Sequence, residues 1–413
     1  MKLSLLTSVI LAASLAPVLS APTSSNKTIG AVYIASNTPT DEGNQILVSD
    51  IYPDGTVAFR NAIRAGGLGI RGYDSTLPVT PPLFSSGSVV VSQQANVALI
   101  VNAGANTMSI FTINPDDPGD VNLLAKPVGS GGEFPISAIF NKAGTKLCVL
   151  NGGEINGVAC FKVDSVRGLI PISRSVRYMN LAQTTPGFGV PGSATQVKFS
   201  ADEKRLIVVV KGSNTIEGFV AMWNINHDDS LSAEPTILNV GKNVYPFSLT
   251  AIPGSNAFIS GDPAGGYDII NLDSVQKKSS KLFAPYKVAK QHGVCWSVQS
   301  PLTQHYYLTD TYGGNVVEVA ISKDLKPTTV AEYHLDTYDV LLDIDVLHTP
   351  TQDFIYSLAA NQTSINVLKV EEAGKAEWIQ KYNITPGANS QGIPVDKLYV
   401  QGLAVYTKDY VSF

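Results

Sequence analysis

The sequence predicts an all-β fold, a single seven-bladed β-propeller, and three observations carry that prediction. Short runs rich in β-branched and aromatic residues, such as 206–211, 315–321 and 354–359, are bounded by Gly, Asn, Asp and Pro clusters, and no long stretch has a helical period. A strand–turn–strand unit recurs about every 50 residues, the spacing of a blade array. The two ends of the chain are complementary: the first unit lacks its opening strand, and the last strand has no partner after it.

The units run in order. Second strands are expected at 32–37, 99–102, 147–151, 206–211, 257–260, 306–310 and 355–361. The first strands that precede six of them centre near Val90, Ala138, Val197, Thr250, Val294 and Ile344. Residues 398–406 then supply the missing first strand of unit one, so the ring closes and no sheet edge is left exposed. Two β-sandwiches are the competing architecture.

Composition fits a turn-rich array. Of 413 residues, 35 are Gly and 24 are Pro; 15% are charged and 44% hydrophobic, which gives ample core and excludes global disorder. The formal net charge of −5 argues against a nucleic-acid partner, which would need a basic footprint. Residues 1–20 read as a signal peptide: Lys2 is the charged start, an apolar run follows, and Ser20 precedes the expected cleavage. That run is shorter than the roughly 20 residues a membrane span needs, and no later run reaches that length. The mature chain, 21–413, is then one propeller domain, secreted to the extracellular space or cell surface. Asn26, Asn361 and Asn383 stand in N-x-Thr sequons and are candidate glycosylation sites.

Three cysteines remain, so at least one has no partner within the chain. If 151 pairs with 157 in a hairpin, Cys148 falls opposite Cys160, and directly opposite residues lie near bridging distance. An oxidising compartment favours the disulfide; two buried thiols are the other reading. Cys295 is expected to be buried in a strand.

At this point the chain resembles the seven-bladed lactonase-type propellers, which include propeller 6-phosphogluconolactonases and carboxy-cis,cis-muconate cyclases, and most of all their secreted fungal cyclase-like relatives. The resemblance lies in the repeated units, in 199–206 as a blade start, in Leu150-Asn151-Gly152-Gly153 beside the Cys pair, in His292-Gly293 and in the closing 400–403 segment. It implies lactone or unsaturated-acid chemistry by a His, two Arg and a Glu. The aligned positions here read Phe134-Pro135-Ile136, Gly192-Ser193-Ala194, Lys211 and Gly261-Asp262, so that set is absent.

Second strands end, and first strands begin, around one mouth of a propeller channel. Candidate ligand-binding residues there are Glu133, Gln196, Tyr245, Asp262, Asp310 and Tyr312, and candidate catalytic residues are His292, Asp343, Asp345 and Lys211. Asp343 and Asp345 are two apart on a predicted inner strand and point to one side, which suits acid/base work or a polar channel lining. Lys211, where the family has a carboxylate, suits an anion or a neighbouring acid. Gly67 to Gly72 matches G-x-G-x-x-G, but no helix opens after it to hold a phosphate. That loop and the 184–192 loop are expected to rim the mouth. No metal-ligand spacing is present and no cofactor is implied. Two functions follow: a propeller that binds a small-molecule ligand or an extracellular partner, or an enzyme acting on a lactone or unsaturated acid with replaced residues.

Overall fold

The computed structural model describes residues 27–73, 81–189, 192–272, 283–288, 290–335 and 338–408. The signal-peptide and Asn26 expectations lie outside them. The chain forms seven antiparallel sheets of four strands each, two of them with a short fifth strand, arranged as a β-propeller. The innermost strands are Val89–Ser92, Pro135–Phe140, Ala194–Phe199, Thr250–Ile252, Val294–Gln299, Leu341–His348 and Gln401–Thr407. Each predicted second strand lies next to one of these.

Closure takes the predicted form. Gln401–Thr407 pairs with Gly30–Ala35, which continues to Gln45–Ile51 and Val57–Arg64, so blade one is built from both ends of the chain. The fit at this seam is tight: a Cβ at Gly30 would lie 2.4 Å from the Tyr406 carbonyl oxygen.

Period-two alternation places successive residues in different interblade cores. In the second strand of blade four, Leu206, Val208 and Val210 face blade three, while Ile207 and Val209 join Phe258 and Ile270 of blade five. Phe258 and Ile259 divide in the same way, Ile259 packing with Leu308 and Val317 of blade six. Large side chains such as Trp223, Trp296, Tyr356 and Phe354 are fully buried at these joints. Each such burial stabilises by about 1.5–3 kcal/mol. This answers why charged residues are few: the second strand of each sheet is buried on both faces, and it is the outermost strands that reach solvent.

Cys148 sits opposite Cys160 in the register, and the two form a disulfide across the hairpin. Cys295 is free and buried. One element departs from the all-strand expectation. Thr385–Ser390 forms a short α-helix with Pro386 in its first turn, where a missing N–H and a fixed φ are tolerated. Gly387 in it approaches the Phe59 ring, where a Cβ would lie 2.9 Å from the ring. No helix among the described residues is long and apolar enough to cross a membrane.

Candidate functional site at the channel

The mouth that the sequence singles out is filled. Loops 65–73 and 181–189 meet above it: the Tyr73 amide donates to the Gly187 carbonyl (2.9 Å), and the Tyr73 and Phe188 rings pack edge to face. Beneath them Phe84, Phe134, Phe247 and Trp296 are buried, Phe247 edge-on to Trp296 at 4.8 Å. Lys211 is buried in this plug. Its Nζ donates to the Gly189 carbonyl and lies 5.9 Å and 5.5 Å from the Phe84 and Phe247 ring centres. The two loops therefore form more than the expected rim, because apolar side chains fill the space between them.

Most candidates on this face tie one blade to the next. The buried Asp262 carboxylate accepts the amides of Tyr245 (3.3 Å) and Ala264 (2.8 Å). Buried Asp310 accepts the His292 amide at 2.8 Å and 3.0 Å, while the His292 ring is 64% exposed with Nδ1 3.8 Å away. Burial raises both carboxyls from their ordinary range, and these amides pull them back. Glu133 accepts the Thr185 hydroxyl at 2.5 Å. Tyr312 is half-buried against Gly293, whose φ of +119° is a conformation that side-chain-bearing residues rarely adopt. Gln196 is buried and bridges three blades, donating to the Ser86 hydroxyl (3.1 Å) and accepting the Leu249 amide. Asn361 accepts the Val340 amide (2.8 Å) and donates to the Tyr338 carbonyl (3.0 Å); Asn383 is exposed. Polar residues at these strand ends are thus the hydrogen-bonded fittings that stop one strand and start the next.

Asp343 and Asp345 belong to a different place. Below the plug lies a cavity of about 1100 Å³ running along the central channel, and both carboxylates line it. Its wall includes His348, Thr349, Pro350, Pro301 and Lys408, which stand at or just beyond the ends of the first strands. The cavity therefore reaches the face opposite to the one predicted.

The backbone explains why acids point inward here. Five of the inner strands slip register against their second strands near the plug, at Gly402, Ile136, Thr195, Cys295–Trp296 and Asp343. In adjacent blades one and seven the bulged residue has positive φ: +89° at Gly402 and +54° at Asp343. At Gly402 a Cβ would lie 2.4 Å from Ser88 Oγ, so only Gly fits. At Asp343 the side chain has the cavity to occupy, and Asp tolerates this conformation better than most residues. The bulge breaks the simple alternation expected for Asp343 and Asp345, yet both still reach the channel.

Asp343 is 4% exposed, and its Oδ2 has no hydrogen-bond partner among the described residues. Burial pushes its carboxyl up to about 8; the amides of Gly402 and Gly87 oppose this, Asp345 adds to it, and the Trp296 indole opposes it. Asp345 is pushed up to about 6 by burial, against the amides of Val405 (2.7 Å) and Val346 (2.9 Å) and the charge of Lys198. Lys198 also lines the cavity. Burial lowers its ammonium, offset by Asp345 and Asp343. Among the described residues no carboxylate lies within 4 Å of its Nζ and no acceptor bonds it. Near the opening His348 Nδ1 meets Asp353 Oδ1 at 2.6 Å, and the other Asp353 oxygen accepts the Ser300 hydroxyl at 2.5 Å.

Sequence reasoning missed Lys198 and the residues of the open end. Lys198 follows Gln196 by two, as Asp345 follows Asp343, on an inner strand. A charged side chain at that register was the available signal.

What fold and cavity define is a closed seven-bladed propeller with a solvent-reaching axial channel. No family model and no curated protein sequence matches the chain. Solved structures do match over nearly its full length. A putative 6-phosphogluconolactonase from Bacteroides fragilis is 13% identical, with 93% of this chain and 99% of that chain covered and a TM-score of 0.63. A periplasmic gluconolactonase from Pseudomonas aeruginosa is 13% identical, with 92% and 99% covered and a TM-score of 0.64. A hypothetical selenium-binding protein from Sulfolobus tokodaii is 10% identical, with 94% and 96% covered and a TM-score of 0.59. The fold is that of the lactonase-like propellers; at these identities the likeness extends to the fold alone.

Proposed function

We propose that the protein is a secreted, glycosylated lactonase-like propeller that binds a small molecule in its axial channel and has lost the family's catalytic set. The observation that carries this reading is the cavity itself, with half-buried Lys198 on its wall and the buried Asp343 Oδ2 left without a protein partner. Unsatisfied buried polar groups are destabilising unless something else meets them, and a ligand does. Support for the lost set comes from Phe134-Pro135-Ile136, Ser193-Ala194, Lys211 and Gly261-Asp262, which offer neither the His nor the Arg and Glu that the resemblance implies. Positions 134, 211 and 262 are also committed to packing and backbone bonds.

A second reading, a lactone hydrolase or cycloisomerase with replaced residues, is favoured by one observation. A carboxyl held neutral near pH 7 beside an ammonium can polarise a carbonyl. Assay of the purified mature chain against a panel of lactones and muconates, with native mass spectrometry of the same sample, separates the two. Binding without turnover is expected. Turnover abolished by Asp343→Asn establishes the enzyme instead, and no turnover anywhere in the panel removes the enzyme reading.

A further inference from the structure

We infer that the inner end of the channel is a carboxylate-binding site whose ligand is an aliphatic monocarboxylic acid, its headgroup on Lys198 and Asp343 and its chain along the apolar wall toward the opening. This rests on the channel-binding reading above and names the ligand class for it.

The partner count decides the charge of the headgroup. Both Asp345 oxygens already accept amides, from Val346 and Val405. The group left without a counter-ion within 4 Å is the Lys198 ammonium. Asp343 presents an oxygen with no partner, in a side chain that is 4% exposed. A ligand cation would add positive charge beside an ammonium that no carboxylate contacts within 4 Å. A neutral alcohol could accept one hydrogen bond from that ammonium but would bring no counter-charge. A carboxylate accepts from Lys198 with one oxygen and from the protonated Asp343 hydroxyl with the other, which satisfies both groups.

The remainder of the wall fixes the other half of the molecule. Between this end and the opening it carries Val90, Ile139, Phe199, Val298, Leu347 and Leu403. From Asp343 to His348 the inner strand advances five residues, about 16 Å at the usual strand rise. An extended chain of eight to ten carbons fits within that length.

The geometry also sets a pH dependence. Asp343 is faced by Asp345 on its own strand, Lys198 of blade four, the amides of Gly402 and Gly87 from blades one and two, and the Trp296 indole of blade six. Above about pH 8 Asp343 loses its proton, stops donating and repels a bound carboxylate.

The test is calorimetric titration of the full mature chain at pH 6.5 with octanoate, 1-octanol and octylammonium. The uncharged dye N-phenyl-1-naphthylamine serves as an independent reporter of channel uptake. Octanoate is expected to bind at least tenfold tighter than 1-octanol, and octylammonium more weakly than either. Lys198→Met is expected to erase the octanoate advantage while the dye still binds, which also shows that the variant is folded. Octanoate affinity is expected to fall at least tenfold between pH 7 and pH 9, and to stay level in Asp343→Asn. If the dye enters but octanoate matches 1-octanol, or its preference survives Lys198→Met, the carboxylate inference is overturned and channel binding stands. If octylammonium binds best, it is likewise overturned. If neither the dye nor any of the three binds, channel binding itself falls.

Discussion

At Asp343 one side chain reports on both folding and the site. Its carboxyl is raised to about 8 in the folded chain, against about 4 when unfolded. Between those values the unfolded state has released a proton that the folded state keeps, so stability falls as pH rises from 4 to 8. The penalty is absent below pH 4 and complete above pH 8. Asp345, raised to about 6, adds to the slope between pH 4 and 6. Asp343→Asn keeps the shape and tolerates positive φ. It is expected to melt with the wild type at pH 4 and to be more stable by on the order of 2 kcal/mol at pH 8.5, read by thermal melts across that range. Lys198→Met removes an ammonium without a close counter-ion, so an equal or higher melting temperature is expected at pH 7 in the absence of ligand. A loss of several degrees would mean that Lys198 braces the blades.

Among the elements, hairpins were the most legible and inner strands the least. The Cys148–Cys160 register follows from one assumed turn and period-two alternation, because a two-stranded ladder has only local unknowns. Replacing both cysteines with Ala is expected to lower stability by about 3 kcal/mol, the entropy of a loop of roughly this size, measured by denaturant unfolding. The bulges at Gly402 and Asp343 are not written in local pattern. They lie on the inner strands, where the register against the second strand slips. Lys198 escaped notice for the same reason: on an isolated strand, a Lys between Val197 and Phe199 reads as a residue facing solvent. The closing of one mouth depends on Phe84, Phe134 and Phe247, which come from three separate connections. No windowed reading brings them together.

For the whole molecule, the repeat and the complementary ends gave the architecture from sequence, since every blade obeys one plan. The choice of open face did not follow, because the plan is symmetric about which mouth the loops fill. Ring closure is directly testable. A chain ending at Tyr399 lacks Gln401–Thr407 and leaves Gly30–Ala35 as an open edge. It is expected to elute from size-exclusion chromatography as dimers or larger aggregates, and adding a peptide of residues 400–408 is expected to restore the monomer. A well-behaved monomer without the peptide would show that the seam is dispensable.

That seam also orders events during synthesis. The strand at 30–35 is made about 370 residues before its partner at 401–407. At roughly 5–20 residues per second, the interval is about 20–70 s. For that time blade one is an unsealed template while six finished blades accumulate beside it. Any chain that stops short of that partner strand keeps blade one unsealed. Completion of strand 401–407 is therefore the step at which blade one loses its open edge.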